Sequence, residues 1–148
     1  MRNVGQNMNE VRLLVVIASY GKSNIKFLRQ IIDRYQAMPM HVDVVVVSEA
    51  AKDLGSGVEV VVGLPSKNPW SLPFAHKPIF ARRVDGYDLF AYSEDDIGVG
   101  EGNIQAFLRL TPQLKPSEIA GFLRYEVDNS GSLSLPRCMV DVTGNRNR

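Results

Sequence analysis

Glu94, Asp95 and Asp96 stand side by side in the chain. Three adjacent carboxylates repel one another, and a cation held among them relieves that repulsion. Hard oxygen ligands select Mg²⁺ or Mn²⁺, ions that keep positions open for water and for substrate phosphates. Cationic side chains lie a short way upstream at His76, Lys77, Arg82 and Arg83. Carboxylates for a metal and cations for phosphate together suit a nucleotide diphosphate. The plainer alternative is a set of solvated acids that do no more than end a strand.

The flanking pattern decides where these acids sit. Arg12 to Ser19 is a continuous apolar run that closes on small residues, the mark of a strand covered on both faces. Ser19-Tyr20-Gly21 supplies a turn, and Ser23 or Asn24 can cap the helix after it. In that helix Ile25, Leu28, Ile31, Ile32, Tyr35 and Met38 recur at helical spacing, and Pro39 stops it. His41 to Ser48 and Val58 to Val62 are valine-rich strands. Pro65, Pro69 and Pro73 make a loop around Trp70, and a short helix is expected within Leu72 to Val84, with Pro78 in its first turn or kinking it. Tyr87 to Tyr92 reads as a fourth strand that runs directly into the acids. A helix over Ile104 to Leu108 comes next, then a fifth strand over Ile119 to Glu126 and a turn at Asp128-Asn129-Ser130-Gly131 into Ser132 to Leu135. The expectation is a single α/β domain over 1–148, with a mainly parallel sheet flanked by helices, and with flexible ends at 1–10 and 143–148.

Ligands of open α/β sheets bind beyond the carboxyl ends of the strands. Four segments lie there: Ala18 to Gly21, Ser48-Glu49, Leu64-Pro65 and Ser93 to Asp96. If the strand stays extended, period-two alternation turns Glu94 and Asp96 to one side and Asp95 to the other. Several neighbours carry two readings. Tyr20 stacks on a base or packs on its own helix, and Trp70 meets a sugar or anchors its loop. Lys77, Arg82 and Arg83 face phosphate or form a solvated helix face. His76 reads as a loop or cap residue rather than a general base, since the sequence offers it no partner.

Composition narrows the field. A net charge of +1 does not suit a nucleic-acid surface. A lone cysteine, Cys138, cannot form an internal disulfide, and no Cys/His cluster is spaced for zinc. No apolar run approaches the roughly 20 residues of a membrane span, and Met1 to Glu10 is too polar for a signal peptide. A soluble, cytoplasmic protein is the expectation. A Gly-x-x-x-x-Gly-Lys loop is absent, and the first strand ends without an acid. P-loop hydrolases, receiver domains and phosphatases with an Asp-x-Asp nucleophile therefore fit poorly.

From Val11 to Glu126, in element order, the chain resembles the GT-A-type glycosyltransferases, which have a Rossmann-like three-layer α/β fold. Tyr87-Asp-Leu-Phe-Ala-Tyr-Ser-Glu-Asp-Asp-Ile97 carries the resemblance, with Glu94-Asp95-Asp96 in the place of the family's Asp-x-Asp motif. The Glu-Asp-Asp form, the helix after it and Ile119-Ala-Gly-Phe122 look most like the exostosin-like group. Glu94 departs from the family's aspartate at the first motif position.

The resemblance implies transfer of a sugar from a nucleotide-diphosphate donor, UDP-linked in the first instance, to an unknown acceptor. Asp96 would hold Mn²⁺ or Mg²⁺, with Glu94 and Asp95 completing the metal and ribose contacts. Ala18, Ser19 and Tyr20 would hold the nucleoside, with Glu49 beside them, and Lys77 or Arg82 would face the diphosphate. In this family the chain after the motif builds the acceptor site, and in inverting enzymes it supplies a catalytic carboxylate. The aspartates in that stretch here are Asp128 and Asp141. Three forms stay open: a minimal enzyme, an enzyme completed by a homo-oligomer or partner chain, or a module that binds the donor without turnover.

Overall fold

The computed structural model describes residues 8–134, in two compact units that divide after Gln113. In the first unit, β1 (Arg12–Ala18) is followed by α1 (Ile25–Gln36), β2 (His41–Ser48), β3 (Val58–Val62), α2 (His76–Arg83), β4 (Leu89–Glu94) and α3 (Glu101–Leu110). The four strands form one parallel sheet in the order β3-β2-β1-β4.

Strand burial reflects that order. β1 and β2 are central, and Leu13 to Ala18 and Val44 to Ser48 are buried without interruption. Such continuous apolar runs are what a strand covered on both faces requires. Leu13, Val15, Ile17, Val44 and Val46 pack on one side with Leu28, Ile31, Ile32 and Tyr35 of α1 and Ile104 of α3. Leu14, Val16, Ala18, Val45 and Val47 face the other way, onto Leu72 and Ile79. Helices thus cover both faces of the sheet.

Several boundaries move from their sequence-based positions, each for a tertiary reason. β4 begins at Leu89 rather than Tyr87 and extends to Glu94, because its pairing with β1 continues through Ile17↔Ser93 and Ala18↔Glu94. Of the end expected to be flexible at 1–10, Met8–Glu10 forms a short 3₁₀ turn and Met8 packs against the core, while 1–7 lie outside the described residues. Pro78 falls in the first turn of α2, where its missing N–H costs nothing.

In the second unit the expected fifth strand over Ile119 to Glu126 does not form. Ile119 is 92% exposed, and the pairing reduces to β5 (Glu126–Val127) against β6 (Leu133–Ser134), antiparallel. The turn between them is the one expected. Asp128 Oδ1 accepts bonds from Ser130 N (2.8 Å), Ser130 Oγ (2.6 Å) and Ser132 N (2.9 Å), and Gly131 supplies a φ of 80°. Cys138, Asp141 and the 143–148 end lie outside the described residues.

Candidate functional site

The strand order reverses between β1 and β4, because β1 leads outward to β2 and β3 on one side and meets β4 on the other. At such a switch point the connections leave in opposite directions, and a crevice opens beyond the carboxyl ends. The segments after β1 and β4 meet there. Asp95 N donates to Ala18 O at 3.1 Å, directly beyond the Ala18↔Glu94 rung. Ile97 N then donates to Glu94 O at 3.0 Å, closing a tight turn with Asp95 and Asp96 at its centre.

This turn sorts the three acids. Asp95 is 7% exposed, whereas Glu94 and Asp96 are exposed to solvent. The extended geometry behind the expected alternation ends at Glu94, so a turn and not the strand pleat sets Asp95 and Asp96. Both Asp95 oxygens are engaged: Oδ2 accepts from Ser19 Oγ at 2.7 Å and Oδ1 from Asn24 Nδ2 at 2.8 Å. The sequence reading gives Asp95 a ligand contact, but these bonds turn it inward. It braces the segment between β1 and α1, and Glu94 and Asp96 stay open to solvent.

A second carboxylate braces the same segment from the β2 side. Glu49 Oε1 accepts from Gly21 N at 2.8 Å, and Oε2 accepts from Ser48 Oγ at 3.2 Å. Lys52, with a side chain only 5% exposed, donates to Gly21 O at 2.7 Å and to Ser48 Oγ at 2.8 Å. Its 3.9 Å separation from Glu49 Oε2 adds a long ion pair. Burial pushes the Glu49 carboxyl up, but the Gly21 and Glu49 backbone N–H groups, the Lys52 charge and the Ser48 hydroxyl outweigh it. The net effect holds Glu49 below its ordinary range. Gly21 itself has a φ of 68°, a conformation that glycine adopts without strain.

Ala18, Ser19, Tyr20, Glu49, Glu94, Asp95 and Asp96 are thus gathered at one end of the sheet. Within that group Ala18 and Ser19 are buried and Tyr20 is 55% exposed, so the ring is the part of this segment open to a ligand. Lys77 lies in the first turn of α2 and sits over the Phe74 ring, 5.0 Å from its centroid. Arg82 is not brought to the site. It lies five residues further along α2, about 7.5 Å down the axis, and turns Nε back to Pro78 O at 3.1 Å.

The neighbouring Arg83 belongs to the opposite, amino end of the sheet. There it donates to both Glu59 oxygens at 2.9 and 2.8 Å and lines a cavity of about 460 Å³ with Asp43, Gly57 and Tyr87. The charged walls of that cavity satisfy one another, since Tyr87 Oη also donates to Asp43 at 2.8 Å. Topology and solvent-facing carboxylates favour the switch point, and they are the better guide to ligand chemistry.

Sequence reasoning did not reach Asn24 as a partner of Asp95, nor Lys52 at all. Asn24 has the residue type and position of a helix cap, but its side chain makes no capping bond. A lysine in a loop carries no local sign that a distant turn will bury it.

The metal fits in one way only. Among the described residues no group of three or more His, Cys, Asp or Glu side chains is placed to hold a metal ion. A protein-only cage is thereby unsupported. Two exposed carboxylates, Glu94 and Asp96, still match a Mg²⁺-type ion that takes one or two protein oxygens and completes its shell with water and phosphate. Among the described residues no helix is long and apolar enough to cross a membrane. No protein-family model, no curated protein and no solved structure matches this chain.

Proposed function

We propose that this protein is a metal-dependent glycosyltransferase of the GT-A type, which moves a sugar from a nucleotide-diphosphate donor, a UDP-sugar in the first instance, to an unknown acceptor. The observation that carries this reading is the pair of solvent-facing carboxylates, Glu94 and Asp96, at the β1/β4 switch point beside a rigidly braced segment. In the proposal Asp96 and Glu94 take the ion together with the diphosphate. Tyr20 offers its ring to the nucleoside, and Ser19 and Ala18 set the position of that ring. Asp95 and Glu49 hold the segment in place before the ligand arrives, so less ordering is needed on binding. Lys77 approaches the diphosphate from the start of α2. Glu94 and Asp96 would hold Mn²⁺ or Mg²⁺ there, and the ion would supply Lewis-acid stabilisation of charge developing on the leaving diphosphate.

One observation favours a second reading, a module of the same fold that binds the donor without turnover. Asp128, the described aspartate after the motif, spends its Oδ1 on three bonds within its own turn, which hold its carboxyl low. It is poorly placed by chemistry to act as a base.

Thermal unfolding with Mn²⁺, UDP, both and neither tests the shared core of these readings. A ligand present at a hundred times its Kd stabilises the fold by about 2.7 kcal/mol. Mn²⁺ and UDP together should therefore raise the Tm by several degrees, more than the two separate effects combined. Asp96→Asn should abolish that excess. An equal response from the variant, or none from either protein, contradicts the proposal.

A further inference from the structure

We propose that the segment between β3 and α2 seats this protein on an anionic phospholipid surface, with Trp70 and Phe74 entering the headgroup layer and Lys67 meeting lipid phosphates. The inference stands apart from the glycosyltransferase reading. From Val60 to Val84 the sequence holds no Asp or Glu, and it carries Lys67, Lys77, Arg82 and Arg83. Arg83 is spent on Glu59. Among the described residues the other three cations form no ion pair with a carboxylate. The stretch therefore presents a single sign of charge.

Its aromatic rings are held out on fixed backbone. Trp70 is 83% exposed and Phe74 56% exposed, in a 3₁₀ segment, Pro69–Ala75, whose Leu72 is buried in the core with Leu14 and Val45. Asn68 Oδ1 accepts from Trp70 N at 3.0 Å, and Ser71 Oγ donates to Asn68 O at 2.7 Å. Ser66 N in turn donates to Ser71 Oγ at 3.1 Å. Pro69 and Pro73 fix φ at two further positions. Rings carried on so constrained a turn lose little backbone freedom when they insert. Lys77 Nζ, 5.0 Å from the Phe74 ring centroid, sets a cation beside the second ring.

Area and charge together select the occupant. Two aromatic side chains bury at most about 300–500 Å², short of the roughly 800 Å² that a stable protein interface takes from each partner. A bilayer asks for less, because inserted apolar area and the attraction of cations to anionic headgroups add. Indole suits the headgroup layer, where its body meets acyl chain and its N–H meets water. A second copy of this chain is the poorer fit, since it would bring the same cations to the contact.

The test uses the full chain and vesicles of phosphatidylcholine, with and without phosphatidylserine. Trp70 is the chain's one tryptophan, so intrinsic fluorescence reports this ring alone. With phosphatidylserine present the protein should sediment with the vesicles, and its emission should shift to the blue. Lipid brominated in the acyl chain should quench that emission, and added salt should weaken binding. Trp70→Ser, followed by sedimentation, should bind about tenfold more weakly. Lys67→Glu changes the local charge by two units and should bind about 30-fold more weakly. Both positions are exposed, so the Tm of either variant should stay close to that of the wild type. Lys77 is left unchanged because the diphosphate reading also draws on it. No co-sedimentation, equal binding to phosphatidylcholine alone, full binding by Lys67→Glu, or sedimentation without a change in emission overturns the proposal. A blue shift that grows with protein concentration in the absence of lipid assigns the ring to a second copy, and it too overturns the membrane assignment.

Discussion

Asp95 and Asp96 are neighbours with the same side chain and opposite tasks. Asp95 ties Ser19 to Asn24 from a nearly buried position, whereas Asp96 projects from the turn. Removing a buried acceptor strands the two donors that relied on it. Asp95→Ala should lower stability by about 2–4 kcal/mol, and Asp96→Asn should stay within about 0.5 kcal/mol of the wild type. Urea unfolding separates the two, and equal losses would place both acids in the same role. Glu49 adds a pH dependence. Its folded pKa lies below the ordinary 4.5, so its contribution is present above that value and fades as pH falls through the folded pKa. Acid titration of stability should therefore be steeper in the wild type than in Glu49→Gln below about pH 4.5; superimposable curves would dissociate Glu49 from the brace.

The segment between β1 and α1 is the element on which the site depends. Two carboxylates, each just past the end of a different strand, hold it, one through Gly21 N and the other through Ser19 and Asn24. A Cβ at Gly21 would meet nothing within 4 Å, so space is not the constraint there. The constraint is the backbone, whose φ of 68° lies in the left-handed region. Gly21→Ala should cost about 1–2 kcal/mol, because an L-residue is strained in that region. It should also weaken nucleotide binding by displacing Tyr20. An unchanged melting temperature would mean that the segment relaxes freely.

The chain as a whole shows which parts of a fold are written locally. β2 and β3 form over the residues expected, since their valine runs need only a neighbour to pair with. The end of β4 is less visible: Ser93 and Glu94 are poor strand residues that pair because β1 extends beside them. The reverse error occurs at Ile119 to Tyr125, where suitable residues stay out of the ladder and Phe122, Leu123 and Tyr125 remain exposed. Position along the chain is enough to bring Ser19, Glu49 and the acids to one end of the sheet. It cannot tell a bracing carboxylate from a free one, because that depends on contacts such as Ser19–Asp95, 76 residues apart. Nor can it separate Lys77 from Arg82, which sit at different heights along α2 and make different contacts there.

The central claim is that the solvent-facing acids at the β1/β4 switch point hold a cation that is shared with a nucleotide diphosphate. A crystal soaked with Mn²⁺ and UDP tests it most directly, because the anomalous signal of manganese locates the ion without reference to the rest of the map. The expected result is a manganese peak within coordination distance of an Asp96 oxygen, with the diphosphate beside it and the uracil ring against Tyr20. A peak in the cavity between Asp43 and Glu59, or nucleotide density remote from the ends of β1 and β4, would contradict it.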